Sequence, residues 1–158
     1  MNSLQSLREL IDRLPARLHA LPRERVENKP APEAWSAKEE LGHLLDSAAN
    51  NYQRIVRTQI EEHPRMPNYD GEGWVALQRY QQRDWAMLID LWVALNRQLL
   101  AAAEVATDSA PSRTLTIGDS QPLTLQFVFD DYVDHMLHHL RHMGVNVEDL
   151  APAKAAAQ

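Results

Sequence analysis

The chain has 158 residues, 44% of them apolar and 24% charged, which is the composition of one ordinary globular domain with a hydrophobic core. A net charge of −6 argues against a general nucleic-acid-binding protein, and no uninterrupted apolar run reaches the roughly 18 to 20 residues of a membrane span. The absence of cysteine excludes disulfides, thiolate nucleophiles and thiolate metal ligands, so any metal site must use His, Asp or Glu.

The N-terminal region is predicted to form one helix followed by an irregular connection. Apolar residues recur there every three or four positions, as on one face of a helix: Leu4, Leu7, Ile11, Leu14, Leu18 and Leu21. Pro15 lies within this pattern and is expected to kink the helix or break it in two. Residues 22–34 contain three prolines and are predicted to be irregular. Because residues 1–5 lack the layout of a signal peptide, we expect a cytoplasmic protein.

Two longer helices are predicted in the middle of the chain. Ser36 is an N-cap candidate, and Glu39 three residues later completes a capping box. Residues 61–73, with two prolines and two glycines, break the pattern. A long third helix is then predicted from one regular stripe: Trp74, Leu77, Gln81, Trp85, Leu88, Trp92, Leu95 and Leu99. We expect the tryptophans of this stripe to lie in the core.

The C-terminal part is predicted to hold the longest connection and the last helix. Within the connection, residues 104–122, the segment 113–117 is compatible with a short strand. The last helix is predicted from Leu123 to Met143, followed by Gly144 as its C′ residue. We therefore expect an all-α fold, a bundle of four antiparallel helices with at least one long crossover connection, in a single domain of residues 1–150. Residues 151–158 are expected to be a flexible tail.

A stretch of eight residues on the last predicted helix contains four of the seven histidines: His135, His138, His139 and His142. Both His135/His139 and His138/His142 have the i,i+4 spacing that places two imidazoles on one helix face, where they can bind one divalent metal if a third ligand is available. On a helical wheel, His135 and His139 lie at the edge of the apolar arc, whereas His138 points nearly opposite. The wheel therefore favours His135/His139 as the inward pair. The alternative is ordinary hydrogen-bonded packing at the edge of the core.

His43, on the second helix, is the candidate for a third ligand. His19 lies in a region interrupted by Pro15 and Pro22, and His63 lies next to Pro64, so both are expected at the surface. His43 projects away from the apolar stripe of its own helix, among these wheel neighbours: Ser36, Glu39, Ser47, Asn50 and Arg54. This face is either solvated or lines a polar cleft at the mouth of the bundle, and in a cleft Asn50 would contact substrate or cofactor. The periodicity leaves both alternatives open.

Two segments resemble the signatures of the DinB-like superfamily. Residues 35–47 open with Trp-Ser and carry His43 eight residues after the tryptophan, and residues 134–140 resemble the His-x-x-x-His signature of the last helix. Asn50 also occupies a position where several relatives carry asparagine. The resemblance implies a four-helix bundle in which His43, His135 and His139 bind a divalent metal, nickel or zinc.

The resemblance also implies a small-molecule enzyme, either a metal-dependent hydrolase or a transferase that uses a low-molecular-weight thiol. Three neutral imidazoles leave coordination positions open for water or substrate, as in catalytic metal sites. Asp131, one turn before His135, is expected to orient that ring, and Asp46, one turn after His43, to act as an acceptor or base. The alternative for both is an ordinary surface aspartate.

A second hypothesis is a non-enzymatic stress-response bundle that binds a metal or ligand, or whose histidines are structural. Loss of activity in a folded histidine variant would favour the enzyme, and loss of stability alone would favour the structural role. We expect neither a nucleic-acid nor a membrane partner. A homodimer formed through an apolar helix face is compatible with either hypothesis.

Overall fold

The computed structural model describes residues 3–109 and 112–150, with backbone alone for 107–109. The helices of these ranges are α1 Ser3–His19, α2 Arg23–Glu27, α3 Ala37–Ile60, α4 Gly71–Gln78, α5 Trp85–Ser109 and α6 Leu125–His142. The strands are β1 Arg65–Met66, β2 Thr114–Ile117 and β3 Leu123–Thr124. The predicted tail, residues 151–158, lies outside the described residues.

The long helices α1, α3, α5 and α6 form a four-helix bundle, which confirms the predicted all-α fold. Their inward faces supply the core, whose largest fully buried side chains include Leu7, Leu14, Leu41, Trp92, Phe129 and Tyr132. Helix α3 packs against both α5 and α6, and α1 packs mainly against α5. Burial of these apolar stripes is the main stabilising contribution to the bundle.

The helix directions differ from the expected antiparallel order. Ser36 contacts Gln81 where α3 and α5 begin, and Gln59 contacts Ala102 towards the ends of both helices, so α3 and α5 run parallel. Glu40 contacts His139, so α3 and α6 run antiparallel. Parallel neighbours require a connection that runs back along the bundle. The segment 61–84 is therefore the long crossover. The sequence had placed the longest connection at 104–122, but α5 continues to Ser109 and shortens that segment.

The predicted third helix is wrong in its first part, because the chain turns between α4 and α5. Arg79 adopts a left-handed conformation with φ of 52°, and Tyr80–Gln82 form a single 3₁₀ turn. Asp84 then accepts a hydrogen bond from the backbone N–H of Met87 at 2.9 Å and caps the start of α5. Trp74 and Leu77, expected in the core, are consequently 38% and 83% exposed.

Helix α1 runs through Pro15 to His19, so the predicted break does not occur. Proline removes one backbone hydrogen bond there, but the buried leucines of α1 hold the helix against the bundle. The strand at 113–117 is confirmed as β2, which pairs parallel with β1 and antiparallel with β3. This small sheet places the segment after β1 beside α6.

Helix α5 has the length and mean hydropathy of a membrane span over Trp85–Ala106. Its apolar side nevertheless packs into the bundle, where Trp92 and Leu99 are fully buried. Asn96 is also fully buried there and accepts a hydrogen bond from the Tyr132 hydroxyl at 2.5 Å. This is the arrangement of a core helix in a globular domain.

Candidate metal centre

The start of α3 is fixed by the predicted capping box. The Ser36 hydroxyl accepts the Glu39 backbone N–H at 3.3 Å, and the Glu39 carboxylate accepts the Ser36 N–H at 2.9 Å. The Ser36 hydroxyl also bonds the Gln81 side chain at 2.5 Å, which ties α3 to the turn before α5. These contacts set the orientation of α3 two turns before His43.

The three predicted ligands converge between α3 and α6. Nε2 of His135 lies 3.1 Å from Nε2 of His43 and 3.0 Å from Nε2 of His139. Nitrogens bound at about 2.0–2.2 Å to one divalent ion lie roughly 3.0–3.4 Å apart, so the cluster has the size and donor chemistry of a three-histidine metal site. His43 is only 7% exposed, which rules out the solvated-face alternative.

The environment keeps two of these rings neutral at physiological pH. Burial, followed by repulsion from the His139 imidazole, lowers the pKa of His43 to about 4. Burial and repulsion from the neighbouring histidines likewise lower the pKa of His135 to about 4. Neutral imidazole is the form that binds a metal, so these rings need lose no proton on binding one at neutral pH.

Glu40 holds the third ring and was missed by the sequence analysis. Its carboxylate is buried and accepts the Nδ1–H of His139 at 2.6 Å, which leaves the Nε2 lone pair facing the other two rings. The sequence does place Glu40 one helical turn before His43, and this position could have indicated a carboxylate beside the cluster. His142 is more exposed and lies 3.6 Å from the other Glu40 oxygen, while His138 faces solvent, as predicted.

Replacing Glu40 by glutamine is expected to weaken metal binding by about tenfold. The amide keeps the size and one acceptor oxygen, but it loses the negative charge that makes His139 a stronger donor to a metal. Zinc affinity, measured by competition with a chromophoric chelator, tests this expectation. Glu62→Gln, at an exposed position just after α3, is the matched control and should bind zinc like the unmodified protein.

Asp46 is buried, so the surface alternative is wrong for this residue. It is 2% exposed and accepts hydrogen bonds from the Tyr80 hydroxyl at 2.5 Å and from Gln78 at 3.3 Å. Burial raises the pKa of its carboxyl group. Asp46 thus joins α3 to α4 and the 3₁₀ turn, and it forms no hydrogen bond with a described imidazole.

The other two predicted site residues do not make the expected contacts. Asp131 is exposed beside His135, but Nδ1 of His135 has no hydrogen-bond partner among the described residues, so Asp131 does not orient that ring. Asn50 turns its amide back onto its own helix and donates to the Asp46 carbonyl at 2.9 Å. Its neighbour Asn51 lines the cavity beside the imidazoles instead.

Aromatic side chains and a glycine enclose the imidazoles. Trp35 packs on His43 with ring centroids 4.9 Å apart and stacks on His139 at 6.1 Å. A Cβ atom at Gly71 would lie 3.0 Å from Cε1 of His43, so the small residue allows the start of α4 to close over that ring. The tryptophan of the first signature therefore forms a wall of the site.

Two cavities flank the cluster. One, of about 330 Å³, is reached from His135 and is lined by polar side chains that include Ser47, Arg54 and Asp131. The other, of about 500 Å³, lies beside Glu40 and Trp35. Buried nitrogen donors that open onto cavities can act on a bound molecule.

Three imidazoles that converge between facing helices give this bundle the donor set of metal-binding helical bundles. The chain belongs to the DinB superfamily, whose sequence profile matches residues 6–143. This match confirms the family that the signatures at 35–47 and 134–140 indicated.

Named bacterial proteins resemble the chain over most of its length. A Bacillus subtilis protein named "Putative metal-dependent hydrolase YfiT" is 28% identical over 110 residues, which are 69% of this chain and 62% of that relative. The match therefore spans about three-fifths of the relative's length. A Halalkalibacterium halodurans protein named "Putative metal-dependent hydrolase BH0277" is 26% identical over 137 residues, covering 84% of this chain and 80% of the relative.

A solved structure shares the fold. It is Bacillus subtilis YfiT, described as "a probable metal-dependent hydrolase with an unusual four-helix bundle topology". The two chains superpose with a TM-score of 0.68 over 91% of this chain and 87% of the other, at 23% identity. At that identity the likeness establishes the four-helix bundle fold, and the chemistry must be argued from the site itself.

Proposed function

We propose that this protein is a metal-dependent hydrolase of small molecules, in which His43, His135 and His139 hold nickel or zinc. The observation that carries the proposal is the convergence of three Nε2 atoms, with neighbouring distances of 3.0 and 3.1 Å, beside a cavity. The names of the relatives agree with it. A metal held by these three imidazoles would supply Lewis-acid chemistry and would lower the pKa of water towards about 7.

The chain's own residues prepare the site for such a reaction. Glu40 fixes the His139 tautomer, and Trp35 and Tyr69 pack against His43 and keep water from its ring. The 330 Å³ cavity beside His135 has room for a small substrate and is lined mainly by polar groups. Orientation of the substrate therefore falls to the side chains of α3, α6 and the segment after β1.

A second candidate function, transfer to a low-molecular-weight thiol, is favoured by the larger cavity. That cavity has a volume of about 500 Å³ and is lined by Arg25 and Lys29 as well as Glu40. Cationic and acidic side chains both line this cavity, Glu24 and Glu40 among the acidic ones, which suits a polar thiol cofactor that carries both charges. If neither reaction occurs, the second hypothesis, a non-enzymatic protein that binds a metal or ligand, is favoured.

The experiment compares zinc-loaded and nickel-loaded protein on a panel of nitrophenyl esters and anilides, and on bimane conjugation with several thiols. We expect ester or amide hydrolysis that disappears in His135→Ala and persists in His138→Ala. His138 is the control because it is exposed on the same helix and lies outside the cluster. Conjugation without hydrolysis would favour the transferase, and equal rates in the two variants would contradict both enzymatic proposals.

A further inference from the structure

Arg54 is a buried cation in the wall of the smaller cavity. It lies on α3, is 8% exposed, and shares the cavity with Asn51, Asp131 and His135. The described residues give its guanidinium one hydrogen bond, from Nη1 to the Asn51 carboxamide oxygen at 3.3 Å. None of the described carboxylates forms a salt bridge with it. A guanidinium has five N–H donors, so most of its capacity is left for another partner.

The setting of Arg54 favours an anionic ligand in the cavity. Burial lowers the pKa of Arg54, and the nearby Asp131 carboxylate offsets only part of that effect. Partial removal of a charge from water is unfavourable, and an anion bound in the cavity would offset that cost. Arg57, one turn further along the same helix, shows the ordinary arrangement: it is more exposed and bonds Glu61 through Nε at 2.6 Å and Nη2 at 2.9 Å.

The position of Arg54 relates it to the imidazoles. It lies three helical turns beyond His43 on α3, about 16 Å along the axis, and a long helical side chain leans back towards the N-terminus. Its guanidinium is therefore expected on the order of 10 Å from the cluster. His135 and Arg54 both line the same cavity, so one small molecule can contact both.

We infer that the substrate carries a carboxylate, which Arg54 binds at the end of the cavity away from the imidazoles. That the bound molecule is a substrate rests on the proposed function. The binding of a carboxylate by Arg54 does not depend on any reaction. The planar guanidinium fork matches carboxylate and phosphate equally in shape. Asp131 lines the same cavity and attracts Arg54 through space, so its negative charge disfavours a dianion and selects the singly charged carboxylate.

The test uses metal-free protein, so that it does not depend on the metal or on hydrolysis. Butyrate, its neutral analogue butyramide and inorganic phosphate are titrated in low-salt buffer while the side-chain NMR signals of Arg54 and Asn51 are followed. We expect butyrate to bind and butyramide not to bind. Arg54→Gln should weaken butyrate binding at least tenfold, whereas Arg57→Gln, the matched control, should leave it unchanged.

A second measurement separates this role from a structural one. Replacing a buried, unpaired charge with an apolar side chain of similar length is often stabilising, so the melting temperature of Arg54→Met should be unchanged or higher. A clear fall would mean that the guanidinium supports the fold, and it would overturn the inference. Equal shifts of the NMR signals with butyrate and butyramide would also overturn it, and so would unaltered butyrate binding in Arg54→Gln. Tighter binding of phosphate would overturn the assignment to a carboxylate.

Discussion

Protein purified without a histidine tag is expected to bind about one equivalent of zinc or nickel, and His135→Ala is expected to lose it. His135 occupies the middle of the cluster, with its Nε2 within 3.1 Å of both other Nε2 atoms. Its removal leaves two nitrogens, which bind a divalent ion much more weakly than three. Isothermal titration calorimetry at pH 7 gives the stoichiometry and the affinity of both proteins.

The matched control for this experiment is His138→Ala. It removes an exposed imidazole from the same helix and should leave the affinity unchanged within a few-fold. His43→Ala and His139→Ala should behave like His135→Ala. If His138→Ala weakened binding as strongly as His135→Ala, the metal would lie at the outer histidines, and the assignment of the triad would be wrong.

The substitution Gly42→Ala is expected to destabilise the fold by about 3 kcal/mol, opposite in sign to its usual effect within a helix. A Cβ atom at this position would lie 2.0 Å from Cδ2 and 2.2 Å from Cγ of Tyr80. Those atoms belong to a ring close to the backbone and cannot turn away freely. Moving the ring would also strain the hydrogen bond from its hydroxyl to Asp46.

A double-mutant cycle isolates the cause of this effect. In a Tyr80→Ala background the same substitution meets no ring, and alanine should then stabilise α3 by about 0.5–1 kcal/mol over glycine. Urea unfolding followed by circular dichroism measures all four proteins. A similar loss of stability in both backgrounds would show that the contact with Tyr80 is not responsible.

The sequence predicts the parts of this molecule that depend on local periodicity. The i,i+4 spacing identified two histidine pairs, the wheel favoured His135/His139 over His138/His142, and the capping box located the start of α3. Each of these patterns lies within a single helix, so it can be recognised without knowing which helices pack against it.

The features that the sequence did not predict arise from contacts between segments. Glu40 reaches His139 across 99 positions, and Asp46 is buried because Tyr80 folds over it from a different segment. The break before α5 has no glycine or proline to mark it, since Arg79 itself adopts the left-handed conformation. Wheel patterns also carry no information on whether neighbouring helices run parallel, so the direction of α5 had to come from the structure.

The long crossover has a consequence for when the three-histidine cluster forms. His43 and His135 are 92 positions apart, because the whole of the crossover, α5 and the sheet lie between α3 and α6. The three imidazoles meet only when α6 packs against α3, so a metal would find its full set of ligands only after the bundle has closed. Once bound, the ion joins two distant parts of the polypeptide like a removable cross-link, and it should slow unfolding in proportion to its occupancy.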